Sequence, residues 1–185
     1  MLKNRSGSPV PNWVIGNSAS GWTGQLYFDT GAFGTNSGSF NNTAPTSSVV
    51  TINTDSTVNY NTGTYVMYSF ANAEGLCKVG SYTGNGSADG TFVYTGFRPA
   101  FVMVKSYTAG EHWNIPVFTS STNGTMNTLS PNLSNAERTM NQNPAVDFVS
   151  NGFKIKTSDA NYNSNGGGYT FLAIAEQPFK YANAR

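Results

Sequence analysis

The chain alternates short apolar and β-branched runs with clusters of Ser, Thr, Asn and Gly, and nowhere sustains the period of an amphipathic helix. Thr91-Phe-Val-Tyr-Thr and Ala100-Phe-Val-Met-Val read as two strands meeting at a turn marked by Gly96 to Pro99. Val49 to Asn53 and Gly152 to Lys156 alternate as half-exposed strands do. Tyr65 to Ala71 and Tyr169 to Ala175 are almost continuously apolar. That is the pattern of a strand covered on both faces, so both are predicted at the middle of a sheet. Loops are expected at Gly31 to Asn42, Asn53 to Thr64, Gly80 to Gly90 and Ser158 to Gly168, where Gly, Asn, Ser and Asp favour turns. Only Leu133 to Met140, after Ser130-Pro131, has helix-forming composition, enough for one turn or two. The pattern predicts an all-β fold: an antiparallel β-sandwich, of jelly-roll or lectin-like kind.

The sequence can also be laid over itself. Met1-Leu-Lys-Asn-Arg-Ser falls on Met103-Val-Lys-Ser at an offset of 102, and Trp13 on Trp113 at 100. Gly63-Thr-Tyr-Val-Met-Tyr-Ser-Phe-Ala falls on Gly167-Gly-Tyr-Thr-Phe-Leu-Ala-Ile-Ala at 104, as does Asp55 on Asp159. Drift of a few residues is what loop insertions produce. Two related halves are expected, residues 1–79 and 80–185, joined at the Gly80 to Lys105 stretch into a single domain, since neither half is long enough to bury much alone.

Composition narrows the partners. Only 10% of residues are charged while 14% are aromatic, so the surface is one of hydroxyls and amides. A net charge of +1 gives no purchase for nucleic acid or an anionic membrane. No run of about 18 apolar residues is present to span a bilayer, and no signal-peptide core follows Met1. The lone Cys77 rules out an internal disulfide and reads as a small buried side chain.

No catalytic constellation emerges. His112 is the single histidine, which leaves no zinc spacing, and no nucleophile elbow or phosphate-binding loop occurs. The Gly84-Asn-Gly-Ser-Ala-Asp-Gly loop lacks the alternating acids and terminal Glu that calcium needs. A glycosidase requires two carboxylates flanking the bond. The nine acids are scattered, and Asp55 with Asp159 sit at corresponding places, which favours structural turns. The expectation is no enzyme, no cofactor and no metal. Aromatic residues beside polar loops are the remaining candidates: Trp22, Tyr60, Tyr107 and Tyr162 could stack against the apolar face of a sugar.

Ser81-Tyr-Thr-Gly-Asn-Gly-Ser-Ala-Asp-Gly, followed by Phe92-Val-Tyr-Thr-Gly-Phe-Arg-Pro-Ala-Phe-Val-Met-Val-Lys, resembles the signature of a repeated domain in virion proteins of tailed bacteriophages. The Met1 to Ser6 start and the Phe171 to Arg185 end are similar to it too, so the resemblance spans nearly the whole chain. It implies localisation in the virion, other virion proteins as partners, and a homo-oligomer, expected to be a trimer. The role it implies is a tail-fibre or receptor-binding module recognising host surface polysaccharide, with avidity from multiple copies. A head decoration protein and a polysaccharide depolymerase fragment are the alternatives. The family's usual Gly-Phe-x-Pro lead is present as Gly96-Phe-Arg-Pro but is missing ahead of Met1, so the chain is expected to be a small free-standing protein or a terminal piece of a longer one.

Overall fold

The structure, a computed structural model, describes residues 1–6, 12–35, 37–117, 126–140 and 145–177. Residues 178–185, the end of the Phe171 to Arg185 stretch singled out from sequence, lie outside them. The chain is all-β, with 37% strand, 7% helix and antiparallel pairing throughout the described sheets. Backbone proximity divides it into two compact units, Met1–Ser69 and Phe70–Arg185. The division precedes the Gly80 junction read from sequence, because Cys77–Thr83 is a strand of the second unit's sheet.

The first unit is one sheet. Strands β1 (Leu2–Asn4), β2 (Val14–Ile15), β3 (Gly24–Tyr27), β4 (Phe33–Thr35) and β5 (Tyr65–Met67) lie in the order β4-β3-β2-β1-β5. Two single helical turns, α1 (Ser37–Phe40) and α2 (Ser56–Asn59), supply Phe40 and Val58 to a core with Leu2 and Val14. The Asp55 carboxylate caps α2 by accepting from Thr57 N at 2.7 Å, satisfying an amide that a helix start otherwise leaves unpaired.

The second unit is a sandwich. One sheet holds β6 (Cys77–Thr83), β14 (Gly168–Ala175) and β8 (Pro99–Ser106), and another holds β12 (Val146–Val149), β13 (Gly152–Ile155) and β7 (Phe92–Tyr94). Alternation turns Val102, Val104, Tyr169 and Phe171 of the first sheet, and Val93, Val146, Phe153 and Ile155 of the second, into one buried cluster. Phe153 meets Phe171 edge-on at 5.3 Å across the two layers. Burying each such side chain contributes about 1.5–3 kcal/mol. A third sheet of β9 (Ile115–Val117), β10 (Met126–Leu129) and β11 (Arg138–Met140) is joined to β8 by the Val104–Asn114 bridge. α3 (Ala160–Asn163) is a single turn capped by Asp159, as α2 is by Asp55.

The two units share local geometry. β1 meets β2 at Leu2–Val14, and β8 meets the β9 end at Val104–Asn114. β1 pairs β5 at Leu2–Met67 and Lys3–Val66, while β8 pairs β14 at Val104–Phe171 and Lys105–Thr170. The N–H of Trp13 donates to Asp29 Oδ1, and that of Trp113 to Asn132 Oδ1.

Several local expectations are corrected. Tyr65 to Ala71 is not central: β5 is an edge strand, with Met67 49% and Tyr68 51% exposed, whereas its counterpart β14 does lie between two strands. Val49 to Asn53 forms no strand: Val49 O accepts from Thr46 N and Asn53 N–H donates to Ser39 O, bonds that hold it as a loop. Gly80 to Thr83 is strand, not loop, since pairing to β14 overrides the local turn preference and Gly80 accommodates the Phe171 ring. Arg138–Met140, predicted helical, is drawn into strand by pairing with β10. β7 and β8 belong to different sheets and make no hairpin.

Candidate binding surface

The loop from Gly84 to Gly90 is held from below by one buried amide. Asn163 Nδ2 donates to Asn85 Oδ1 (2.9 Å), Ser87 O (2.7 Å) and Thr157 O (2.8 Å), and its Oδ1 accepts from Asn85 N (2.9 Å). The loop's glycines make that approach possible. A Cβ on Gly84 would sit 2.3 Å from Ser164 O, and one on Gly90 would sit 2.7 Å from Ile155 O. Asn85 Oδ1 also accepts from Ser87 N, so this oxygen serves the loop itself.

The ordered loop delivers the chain to β7 in a fixed register. Because side chains alternate along a strand, Val93 enters the core while Phe92 and Tyr94 point outward, 46% and 63% exposed. Pairing sets Phe92 opposite Lys154 and Tyr94 opposite Gly152, and Lys154 opposite Asp147 on β12. Gly152 has no room for a side chain, since a Cβ would lie 2.1 Å from Val93 O and 3.2 Å from the Phe92 ring. The Lys154 ammonium stands 2.8 Å from Asp89 Oδ1, and this hydrogen bond holds the Asp89 carboxyl below its usual range.

The result is a surface of two exposed rings bordered by an ion pair and a further carboxylate. Rings of this kind take the apolar face of a sugar, while the charged groups at the rim can meet its hydroxyls. Among the described residues no group of three or more His, Cys, Asp or Glu is placed to hold a metal ion, and no helix is long and apolar enough to cross a membrane.

Two other groups have unusual surroundings. Lys105 is fully buried, and its ammonium donates to Ser106 O at 3.0 Å and Ala109 O at 3.4 Å. Burial lowers its pKa to about 8, partly opposed by Glu111. His112 Nδ1 lies 2.9 Å from Asn132 Nδ2, whose partner oxygen accepts the Trp113 N–H. The amide therefore donates to the ring and fixes Nδ1 as an acceptor.

The four aromatic residues singled out from sequence are divided between the two units. Trp22 and Tyr60 belong to the first unit, Tyr107 and Tyr162 to the second. Trp22 adopts φ +63° and packs edge-on to Phe40 at 5.9 Å, as part of the core's border. Tyr60 is 43% exposed. Tyr107 is half-buried, and its ring takes the space beside Gly168, where a Cβ would come within 2.4 Å.

Tyr162 is corrected outright. It is fully buried, its hydroxyl lies 3.0 Å from Thr128 Oγ1, and burial pushes its phenol well up. The α3 turn directs it inward, so it offers no face to a ligand. Phe92 and Tyr94 were missed because they were read only as strand formers. The aromatic-Val-aromatic alternation beside a Gly-rich loop was the available signal.

Fold and surface together define an antiparallel all-β protein with an exposed aromatic platform. The chain belongs to the family described as a domain of unknown function, DUF7483, whose profile matches residues 1–178. No curated protein and no solved structure matches it.

Proposed function

We propose that the chain is a non-enzymatic structural protein of a tailed-phage virion that recognises host surface glycan, as a tail-fibre or receptor-binding module working in several copies. The glycan reading is carried by the exposed Phe92–Tyr94 pair bordered by Lys154, Asp89 and Asp147. The virion assignment rests on the resemblance of Ser81 to Lys105 to phage virion proteins. Sugar stacking on such a platform is weak per site, and repetition within an oligomer multiplies it.

A glycan array with the wild type and Tyr94→Ala tests the binding reading. Wild type retains a subset of bacterial surface polysaccharides, and Tyr94→Ala loses them. Wild type that binds none sinks the sugar assignment. Antibody labelling of intact virions tests the placement. Signal at the tail tip supports the module, signal over the head replaces it with a decoration role, and no signal removes the virion assignment. Reducing ends released from a bound polysaccharide would show a depolymerase instead.

A further inference from the structure

The two units differ at one edge. In the second unit β14 is flanked by β8 on one side and β6 on the other, and in the first unit the equivalent β5 has, among the described residues, β1 on one side only. Met1 and Tyr68 exchange backbone hydrogen bonds, as the N–H of Arg5 also bonds Thr64 O. Alternation therefore turns the amides of Thr64, Val66 and Tyr68 toward β1 and those of Tyr65, Met67 and Ser69 toward the open edge.

Their counterparts Tyr169, Phe171 and Ala173 are the residues that pair with Tyr82, Gly80 and Lys78 of β6. Tyr82 stacks on Tyr169 at 5.0 Å and 11°, and Gly80 leaves room for the Phe171 ring.

The open edge lacks the usual protection. Tyr65 to Ser69 contains no charge and no proline, the features that normally keep an edge strand from pairing. Among the described residues the unit also has no second sheet layer. Residues 42–51, at the offset of 104 from β12 and β13, form no strand, and Val49 is 57% exposed. In the second unit β7, which follows β6, completes that layer.

We propose that the outer edge of β5 is a strand-acceptor site, filled antiparallel by a strand of the β6 kind supplied by a partner polypeptide. The fitting strand carries an aromatic residue opposite Tyr65 and a glycine or other small residue opposite Met67, as Tyr82 and Gly80 stand to Tyr169 and Phe171. Backbone bonds supply the affinity and these two positions the selectivity, as in strand addition generally. The inference is independent of the glycan reading, because the acceptor edge is β5 of the first unit and not the Phe92–Tyr94 surface of the second.

The test titrates a synthetic peptide with the sequence of Lys78–Tyr94 into the full chain. Calorimetry measures stoichiometry, and hydrogen exchange locates the contact. Saturable one-to-one binding is expected, with exchange slowed at Tyr65, Met67 and Ser69. Met67→Pro removes one outward donor and leaves the bonds to β1 in place, so it folds as judged by circular dichroism and binds the peptide at least about tenfold more weakly. Ser69→Pro does the same should Met67→Pro fail to fold. Absence of saturation at about 1 mM peptide overturns the proposal. So does protection confined to β14, and so does self-association of the unliganded chain that the proline variants abolish, since a second copy would then hold the edge.

Discussion

Tyr65 and Tyr169 hold the same place in the two units. Each phenolic oxygen accepts a backbone N–H five residues earlier, from Tyr60 at 2.8 Å and from Ser164 at 2.7 Å. Each donates to a carbonyl nine residues earlier, that of Ser56 at 3.2 Å and of Ala160 at 2.6 Å. The ring thus clips a capped helical turn to the strand that follows it. The surroundings differ, since Tyr169 is 1% exposed and Tyr65 is half-buried.

Tyr169→Phe is expected to cost about 1–2 kcal/mol, because the two bonds it loses are part-buried. Tyr65→Phe is expected to cost about 0.5–1 kcal/mol, since water can replace its bonds. Urea unfolding of both variants checks the order. Equal costs would mean the clip matters less than its burial suggests.

What could be read in the sequence follows from how local each feature is. Asp55 and Asp159 were legible because a cap bonds an amide two residues on and depends on nothing remote. Tyr169 to Ala175 read as central, and β14 is, because β6 and β8 both pair with it. Tyr65 to Ala71 carries the same apolar signature without a second neighbour among the described residues, a fact of pairing and not of composition. Likewise Tyr162 sits among polar residues, and only α3 turns it into the core. Phe92 and Tyr94 are outward because Val93 is inward, a phase set by contacts from the opposing sheet.

Asn163 is expected to be the residue on which the Gly84 to Gly90 loop depends. Asn163→Ala removes two N–H groups shared among three acceptors and one accepted bond in a site with no exposed surface. The loss should reach about 3 kcal/mol or more, with faster amide exchange across the loop. Asn163→Asp keeps the acceptor but not the donors, so it should fall nearly as far. Unchanged exchange at Asn85 would show the loop to be held by its own turns.

The buried Lys105 predicts an unusual alkaline profile. Its folded pKa of about 8 lies below the unfolded 10.5, so between these values the unfolded chain binds more protons and stability rises with pH. The gain from pH 8 to about 9.5 should be about 1–2 kcal/mol. Cys77, raised by burial from 9.0, acts the other way above that pH, so the measurement belongs in a Cys77→Ser background. Above pH 10 the rise should reverse, because Tyr82 and Tyr162 have raised pKa values and ionise first in the unfolded chain. Lys105→Met should flatten the rise between pH 8 and 9.5. A rise that survives this change would have another source.

The platform makes opposite demands at facing positions of β7 and β13. Tyr94 is 63% exposed and Phe92 46%, so replacing either with Ala should change stability by no more than about 0.5 kcal/mol while weakening any sugar contact. Gly152, opposite Tyr94, cannot accept even a methyl group without displacing Val93 O, 2.1 Å from the Cβ position. Gly152→Ala should therefore cost about 1–3 kcal/mol and shift the pairing of β7 with β13. Thermal melts beside glycan binding separate the two effects: lost binding at constant Tm for Tyr94→Ala, and a lowered Tm for Gly152→Ala. Lost stability in Tyr94→Ala would mean that the exposed ring serves packing, and the surface would lose its claim to bind sugar.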